Sequence, residues 1–484
     1  MTNVMAPNPV RSQPALGWVL VLTAAAALIV ALDQLVVSTA INTIRADLDA
    51  SMESLEWTVN AFSLSFAALM IPCAEIGDRI GRRRTYLIGL LVFGVASAAC
   101  ALAPSIGLLI AARVVQGAGA ALISPAALAL LTAATPPARR GSVMGIYAAV
   151  MGLAVVGGPL VGGLVTEGLA WQWIFWINVP VIALVTPLAA ARLNEMRGGQ
   201  PLRPDLLGLL LVTASMLGIT WGLVRSGSSG WGSAEVLGTL IGGAVLLCAL
   251  VAWELHTANP MLPMRLFTNR EFSAGNASTL LLTASLFSTV FFLAQYLQLG
   301  LGNSPVGSGL RYLPWTLPIF FIAPIAGRLQ DKIGSRILIT TGLTVQGVGL
   351  LWIAANAHGH HGYGASVAAL IVAGIGTSMA MPAQQSAVMA TVAPHQMGKA
   401  AGTFSTVRQI GGVLGIAILA AVFAAHGDVT SPSEFSAGFA AAMVAAAVMA
   451  FLGAASGLFA AARRPADAPM PAADGPDPEV AGVA

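Results

Sequence analysis

The sequence predicts an all-α polytopic membrane protein: two six-helix halves and two inserted linker helices, fourteen crossings in all, with both termini cytoplasmic. Three observations carry that expectation. Of the 484 residues, 57% are hydrophobic and 9% charged, against roughly 25% charged in a soluble domain, so the chain needs lipid as its solvent. Apolar windows long enough to cross a ~30 Å hydrocarbon core recur from end to end. A charged segment between two of them, Asp78-Arg79-Ile80-Gly81-Arg82-Arg83, returns in weaker form as Asp331-Lys332-Ile333-Gly334-Ser335-Arg336. Length alone would suggest about three soluble domains at ~150 residues each; the windows make the chain one polytopic domain.

The expected spans are 16–40, 55–76, 85–103, 106–134, 142–167, 171–191, 206–225, 235–256, 272–299, 310–328, 337–357, 364–391, 400–425 and 437–461. Residues 1–14 and 463–484, rich in Pro, Ala and polar residues without a helical period, are expected to be disordered cytoplasmic tails. Between them lie a first bundle over 15–195, a two-helix linker over 196–260 and a second bundle over 261–462. Arg11 ahead of the first apolar run also fits a cleavable signal peptide; the length of that run and Asp33 within it favour a retained helix.

Basic residues cluster in alternate loops, as the positive-inside rule requires. With a cytoplasmic N-terminus, Arg79, Arg82, Arg83, Arg84, Arg139, Arg140, Arg192, Arg197, Arg203, Lys332, Arg336, Arg463 and Arg464 all fall inside. Arg45, Arg225 and Arg311 fall outside, and Arg113 and Arg408 lie within spans. Cys73, Cys100 and Cys248 fall within spans, where a thiol is usually a small packing group, and imply no disulfide framework.

A second repeat fixes how the halves pair. Gly117-x-Gly119 followed by Pro125 recurs as Gly374-x-Gly376 followed by Pro382 at a single offset, close to that of the charged segment. The first six spans therefore match the last six, with the seventh and eighth left as the linker. Parallel six-helix repeats with substrate held between the halves are the arrangement of the major facilitator fold.

Residues 16–460 resemble the fourteen-helix drug:proton antiporter branch of the major facilitator superfamily. Ala74-Glu75-Ile76-Gly77-Asp78-Arg79-Ile80-Gly81-Arg82-Arg83-Arg84 is similar to the loop signature between its second and third helices. Arg113-Val114-Val115-Gln116-Gly117 lies in span four. Gly158-Pro159-Leu160-Val161-Gly162-Gly163 in span five resembles the exporters' antiporter motif. Leu32-Asp33-Gln34 in span one, the run from Trp171 through Asn178-Val179-Pro180 that opens span six, and Arg408-Gln409-Ile410-Gly411-Gly412 in span thirteen complete the likeness. Ala74, Asn42 and Gln172 depart from the family's usual Gly, Pro and Arg.

Asp33 is the carboxylate expected deep in a span; Glu53 and Glu56 are expected to flank span two, with Glu75, Glu167 and Glu254 near helix ends. An ionisable group inside the membrane is a functional candidate. Burial favours the protonated form of a carboxyl group and a nearby cation the ionised form, so alternation between the two environments loads and releases a proton. Arg113, at similar depth, is the expected partner. A permanent structural pair and a contact to a substrate cation are the competing roles. Asp78, Arg79, Gly81, Arg82 and Arg83, with Asp331, Lys332 and Gly334 in the second copy, are expected to form gating turns, although topology anchoring alone would account for the arginines. Gly158, Pro159, Gly162 and Gly163 are expected to shape a helix interface. Gln34, Gln116, Gln384, Gln385 and Arg408 are candidate cavity residues, with interhelical hydrogen bonding or helix support as the alternative. Trp171, Trp173 and Trp176 are expected at an outer boundary as interfacial anchors.

Enzyme chemistry finds little footing. His358, His360 and His361 sit in an expected outer loop without accompanying carboxylates or cysteines, so no metal is expected. No Gly-x-x-x-x-Gly-Lys-[Ser/Thr] loop is present, which leaves no phosphate cradle for ATP. The resemblance implies a secondary active exporter in a prokaryotic plasma membrane, with the proton gradient as its energy source and no cofactor. It would exchange protons for drugs, antibiotics or amphipathic metabolites. Its partners would be the small-molecule substrate, protons and the bilayer, with no nucleic acid and no assigned oligomeric state. An uptake symporter or facilitator, or a nontransporting receptor or assembly factor on the same fold, is the alternative.

Overall fold

The computed structural model describes residues 16–136, 140–196, 205–257, 260, 264–359, 362–392 and 397–460. Both expected tails, Arg139, Arg197, Arg203, Arg463, Arg464, His360 and His361 lie outside them, as do the side chains of Arg140, Asp78 and Asp331. The first stretch of chain forms α1 (Leu16–Leu48), α2 (Met52–Ile80), α3 (Arg82–Ala101), α4 (Ile106–Ala134), α5 (Arg140–Gly168), α6 (Trp173–Trp176) and α7 (Asn178–Arg192). Next come α8 (Leu206–Ser229), α9 (Ala234–His256), α10 (Arg270–Gln295), α11 (Pro305–Arg311), α12 (Leu313–Thr316) and α13 (Pro318–Ile333). The chain closes with α14 (Ser335–His358), α15 (Tyr363–Met389), α16 (Met397–His426) and α17 (Pro432–Gly457). A π-helical turn, Tyr296–Gly300, extends α10.

Among the described residues, eleven segments are long and apolar enough to cross a membrane. Helix also covers the three remaining expected spans, as α2, α5 and the α11–α13 series. Several starts follow directly from sequence. Ser51, Ser105, Asp205, Ser304 and Ser431 each stand before a helix and accept a backbone N–H from its first turn, which satisfies an otherwise orphaned donor. Two expected single spans are broken. The sixth is interrupted at Ile177, so that Pro180 falls in the first turn of α7, where a missing N–H costs nothing. The tenth is split into α11, α12 and α13 where Pro314 and Pro318 each remove a ladder donor.

The chain divides into two compact units, Met1–Leu247 with Leu293–Leu313, and Cys248–Phe292 with Pro314–Ala484. In the first unit, an apolar core of Phe62, Phe66, Tyr86, Phe93, Ile123 and Ile182 joins α2, α3, α4 and α7. A Cβ placed on Gly119 would sit 2.7 Å from the Phe93 nitrogen, and one on Gly117 would strike the Phe62 carbonyl, so the repeated glycines let α4 lie directly on α3 and α2. The antiporter-motif glycines do the same for α5. Gly158 lies against Leu35 and Gly162 against the Val36 carbonyl, 2.6 Å from a Cβ in each case, while Gly163 abuts Pro305. Residues 293–313 join this unit through Gln298, which accepts from Asn42 at 3.0 Å and donates to the Thr39 carbonyl at 2.8 Å. Trp57 meets Trp221 of α8 at 5.6 Å between rings, and Arg225 of α8 pairs with Glu53 of α2 and Glu235 of α9, each at 3.1 Å.

The second unit repeats the device. A Cβ on Gly376 would run into Gln346 of α14, and one on Gly374 into the Trp315 carbonyl of α12. Its interior includes neutral polar pairs: Gln384 donates to Ser278 at 2.8 Å and Gln346 to Ser285 at 3.2 Å.

The two charged loop segments form matching turns. Gly81 closes α2 and opens α3 at φ 113°, and Gly334 closes α13 and opens α14 at φ 85°. In the first turn, Glu195 accepts the backbone N–H groups of Arg83 at 3.0 Å and Arg84 at 3.2 Å, a carboxylate at the positive end of a helix. Arg83 donates to the Ala190 carbonyl of α7, and Arg336 to the Ala460 carbonyl beyond α17 at 3.0 Å. Each turn is thus fastened to the last helix of its own half. A side chain at Gly81 would be backbone-strained and would press on the Glu195 carboxylate. Gly81→Ala is therefore expected to cost about 1–3 kcal/mol, seen as a lower melting temperature of the purified protein. Gly17→Ala, with open space around it, should melt like the wild type; equal melting of both variants would contradict the turn geometry.

Candidate functional site

The first unit holds a charged cluster assembled from five helices. Asp33 of α1 and Arg113 of α4 form an ion pair with both side chains at 0% exposure. Gln116, one turn after Arg113, donates to the other Asp33 oxygen at 2.8 Å, and Asn178 at the start of α7 donates to the same oxygen at 2.9 Å. Ser97 of α3 accepts from both amides, at 2.8 Å from Gln116 and 3.3 Å from Asn178. Gln116 also accepts from Arg113 at 2.8 Å, and Cys100 approaches its oxygen at 3.6 Å.

Arg113 is held on its other sides as well. Its Nε donates to the Thr58 carbonyl of α2 at 3.0 Å, and its guanidinium carbon lies 4.2 Å from the Phe62 ring centroid and 5.8 Å from that of Phe175. A desolvated cation over an aromatic face gains about 2 kcal/mol. The carboxylate therefore accepts from one cationic and two neutral donors, and the cation meets one anion, two neutral acceptors and a ring face. An ion pair taken out of water is tolerated when its remaining hydrogen-bonding groups are largely met in this way; here Arg113 Nη2 alone lacks a hydrogen-bond partner.

The expected Asp33–Arg113 pair is present. Gln116 belongs to it: both ends of its amide are engaged within the cluster. Gln34 is half-buried beside Asp33. In the second unit, Gln384 is buried against Ser278, Gln385 is exposed and Arg408 is half-buried on α16. Gly81 and Gly334 make the turns described above, flanked by half-buried Arg79 and exposed Lys332. Trp173 is exposed, as an interfacial anchor would be, but Trp171 is buried and donates to Asp47 of α1 at 2.7 Å, with Gln172 reaching the same carboxylate at 3.4 Å. His358 is exposed at the end of α14.

Sequence reasoning missed Asn178, Ser97 and the Thr58 carbonyl. The Asn-Val-Pro run was the available signal for Asn178, because a proline two residues on starts a new helix and leaves the preceding asparagine at its end. Nothing local marks Ser97.

The Major Facilitator Superfamily model matches residues 23–415 and 276–481. The chain belongs to the Major Facilitator Superfamily. It is 32% identical, over 87% of its length and 80% of the relative's, to a tetracenomycin C resistance and export protein of Streptomyces glaucescens. It is 36% identical, over 88% and 86%, to a puromycin resistance protein of Streptomyces alboniger, and 34% identical, over 89% of each, to a cephamycin export protein of Amycolatopsis lactamdurans. The crystal structure of a POT family transporter in complex with a thioalcohol-conjugated peptide shares the fold, with a TM-score of 0.68 over 91% of this chain and 94% of that one, at 15% identity. A superfamily member with eleven such helices is a multi-pass membrane transporter.

Removing one member of a fully buried pair leaves an uncompensated charge, at about 3–5 kcal/mol. Arg113→Ala is expected to lower the melting temperature more than Asp33→Asn, because the asparagine keeps an acceptor for the amides and Arg113 keeps Phe62. Wild-type melting of Arg113→Ala would contradict the cluster.

Proposed function

We propose that this protein is a proton-coupled secondary exporter of amphipathic, antibiotic-like compounds, a fourteen-helix antiporter of a bacterial plasma membrane with both termini cytoplasmic. The observation that carries the proposal is the Asp33–Arg113 pair with its shared amides, buried inside a chain that is otherwise sparing with charge. The export and resistance names of its bacterial relatives support the direction of transport and the substrate class.

In the mechanism, Asp33 carries the proton and Arg113 sets how readily it is held. As a carboxylate, Asp33 accepts from three donors. Once protonated, it no longer counters Arg113, and its hydroxyl must itself donate, with the Gln116 oxygen and the Ser97 hydroxyl as the neighbouring acceptors. Protonation thus forces Gln116 to reorganise, and Gln116 ties α4 to α1 and α3. A proton taken at one side of the membrane changes the helix packing that alternating access requires.

The turns at Gly81 and Gly334, including Asp78, Arg82, Arg83 and Asp331, gate the cycle. The Gly158–Gly163 interface limits leak. Gln34 and Arg408, both half-buried, are the cavity candidates. The driving force is ~1.4 kcal/mol per pH unit plus ~2.3 kcal/mol per charge for each 100 mV, with no nucleotide or other cofactor.

Everted vesicles carrying an imposed pH gradient test the proposal with a panel of cationic, neutral and anionic compounds. Compounds exported by the wild type should dissipate the gradient, and Asp33→Asn should abolish that response. Coupled flux that survives in Asp33→Asn would move the proton site elsewhere.

A further inference from the structure

The sequence places Glu56 at the edge of its span, yet the structure buries it at 6% exposure. Asn60, one helical turn later, is fully buried, and Ser63, a further turn along, is buried as well. These three positions repeat at i, i+4 and i+7, one stripe on a helix. The stripe is not the face that packs on α4: Thr58, whose carbonyl meets Arg113, lies two residues from both Glu56 and Asn60, about 200° away around the helix.

Among the described residues, both amide atoms of Asn60 are buried without a hydrogen-bond partner, and the charge acting on the buried Glu56 carboxyl is the like charge of Glu53. Buried polar groups are ordinarily satisfied, and one left bare destabilises the fold. An unsatisfied carboxamide one turn from a buried acid marks a place that another molecule or a proton completes.

The surrounding charges do not fill that role. Glu53, one turn earlier, repels a negative charge on Glu56 and is itself held by Arg225 of α8. From α1 and α4, Asp33 and Arg113 are paired with each other across the opposite face. Asp47 of α1 is taken by Trp171 and Gln172, and the basic residues of α3, Arg82, Arg83 and Arg84, stand at the far end of α2. Glu56 is a buried acid without a cation, beside a carboxamide that offers both a donor and an acceptor.

We infer that the Glu56–Asn60 face of α2 is a second cation site, separate from the Asp33 pair, which takes either a proton or the positively charged head of a transported compound. The inference rests on the export reading above for its place in the transport cycle, whereas the binding step stands apart from it. Asn60 orients the occupant; Glu56 supplies the charge.

The test uses the full-length protein in lipid nanodiscs with tetraphenylphosphonium as the cationic probe, and compares wild type with Glu56→Gln, Glu56→Asp and Asn60→Ala. If the head of the substrate is the occupant, Glu56→Gln weakens probe binding about tenfold or more, Asn60→Ala weakens it less and Glu56→Asp retains most of it. If a proton is the occupant, probe affinity is unchanged, but one protonated-carboxyl infrared band that titrates in wild type and in Glu56→Asp is missing from Glu56→Gln. Wild-type probe binding together with an unaltered carboxyl titration in Glu56→Gln would overturn the site. Neither readout needs a gradient, so an absence of export in vesicles would count against the proposed function alone.

Discussion

A carboxylate and a guanidinium that face each other out of reach of solvent impose most of the constraints seen in the first unit. Asp33 and Arg113 are tolerated there because both carboxylate oxygens accept hydrogen bonds and the guanidinium lacks a partner at Nη2 alone. Meeting them takes a helix start at Asn178, a carbonyl of α2, a serine of α3 and an aromatic face. Asn178, next to the turn at Ile177 where α6 gives way to α7, reaches the carboxylate from there. Charge burial and helix geometry therefore depend on each other.

Close backbone approach is the second recurring device. Lipid supplies little hydrophobic force between helices, so contact depends on shape and small residues. Gly117 and Gly119 in the first unit, and Gly374 and Gly376 in the second, bring a helix against two neighbours in the same manner. Among the described residues, the first unit encloses the buried Asp33–Arg113 ion pair, whereas the second pairs buried amides with hydroxyls.

Much of this was legible in the sequence because the membrane restricts the choices. Backbone groups in lipid must be satisfied within helices, so apolar length located the elements, and the doubled motifs located the repeat. Matching depth along two spans was enough to pair Asp33 with Arg113. What escaped were contacts set by tertiary proximity. Glu195 follows α7 in what reads as a loop, and nothing near it in the chain indicates that it caps α3. Glu56 lies close enough to the end of its helix to pass for a boundary residue, and only the packing reveals its burial. A lone glutamine in a span carries no sign of its partner, so the sequence leaves Gln116 open between a cavity role and the interhelical hydrogen bonding that the structure shows. The two broken spans were foreshadowed by their prolines, whereas the register of each break depends on which side chain the fold needs at the new helix end.

The most direct measurement of the central claim is the number of protons released when an exported compound binds the purified protein in weakly buffered solution. If Asp33 holds the transported proton, the wild type releases protons on binding, and Asp33→Asn releases one fewer while still binding the compound. The same release from both proteins would mean that the Asp33–Arg113 pair is a permanent structural feature and that the proton travels by another group.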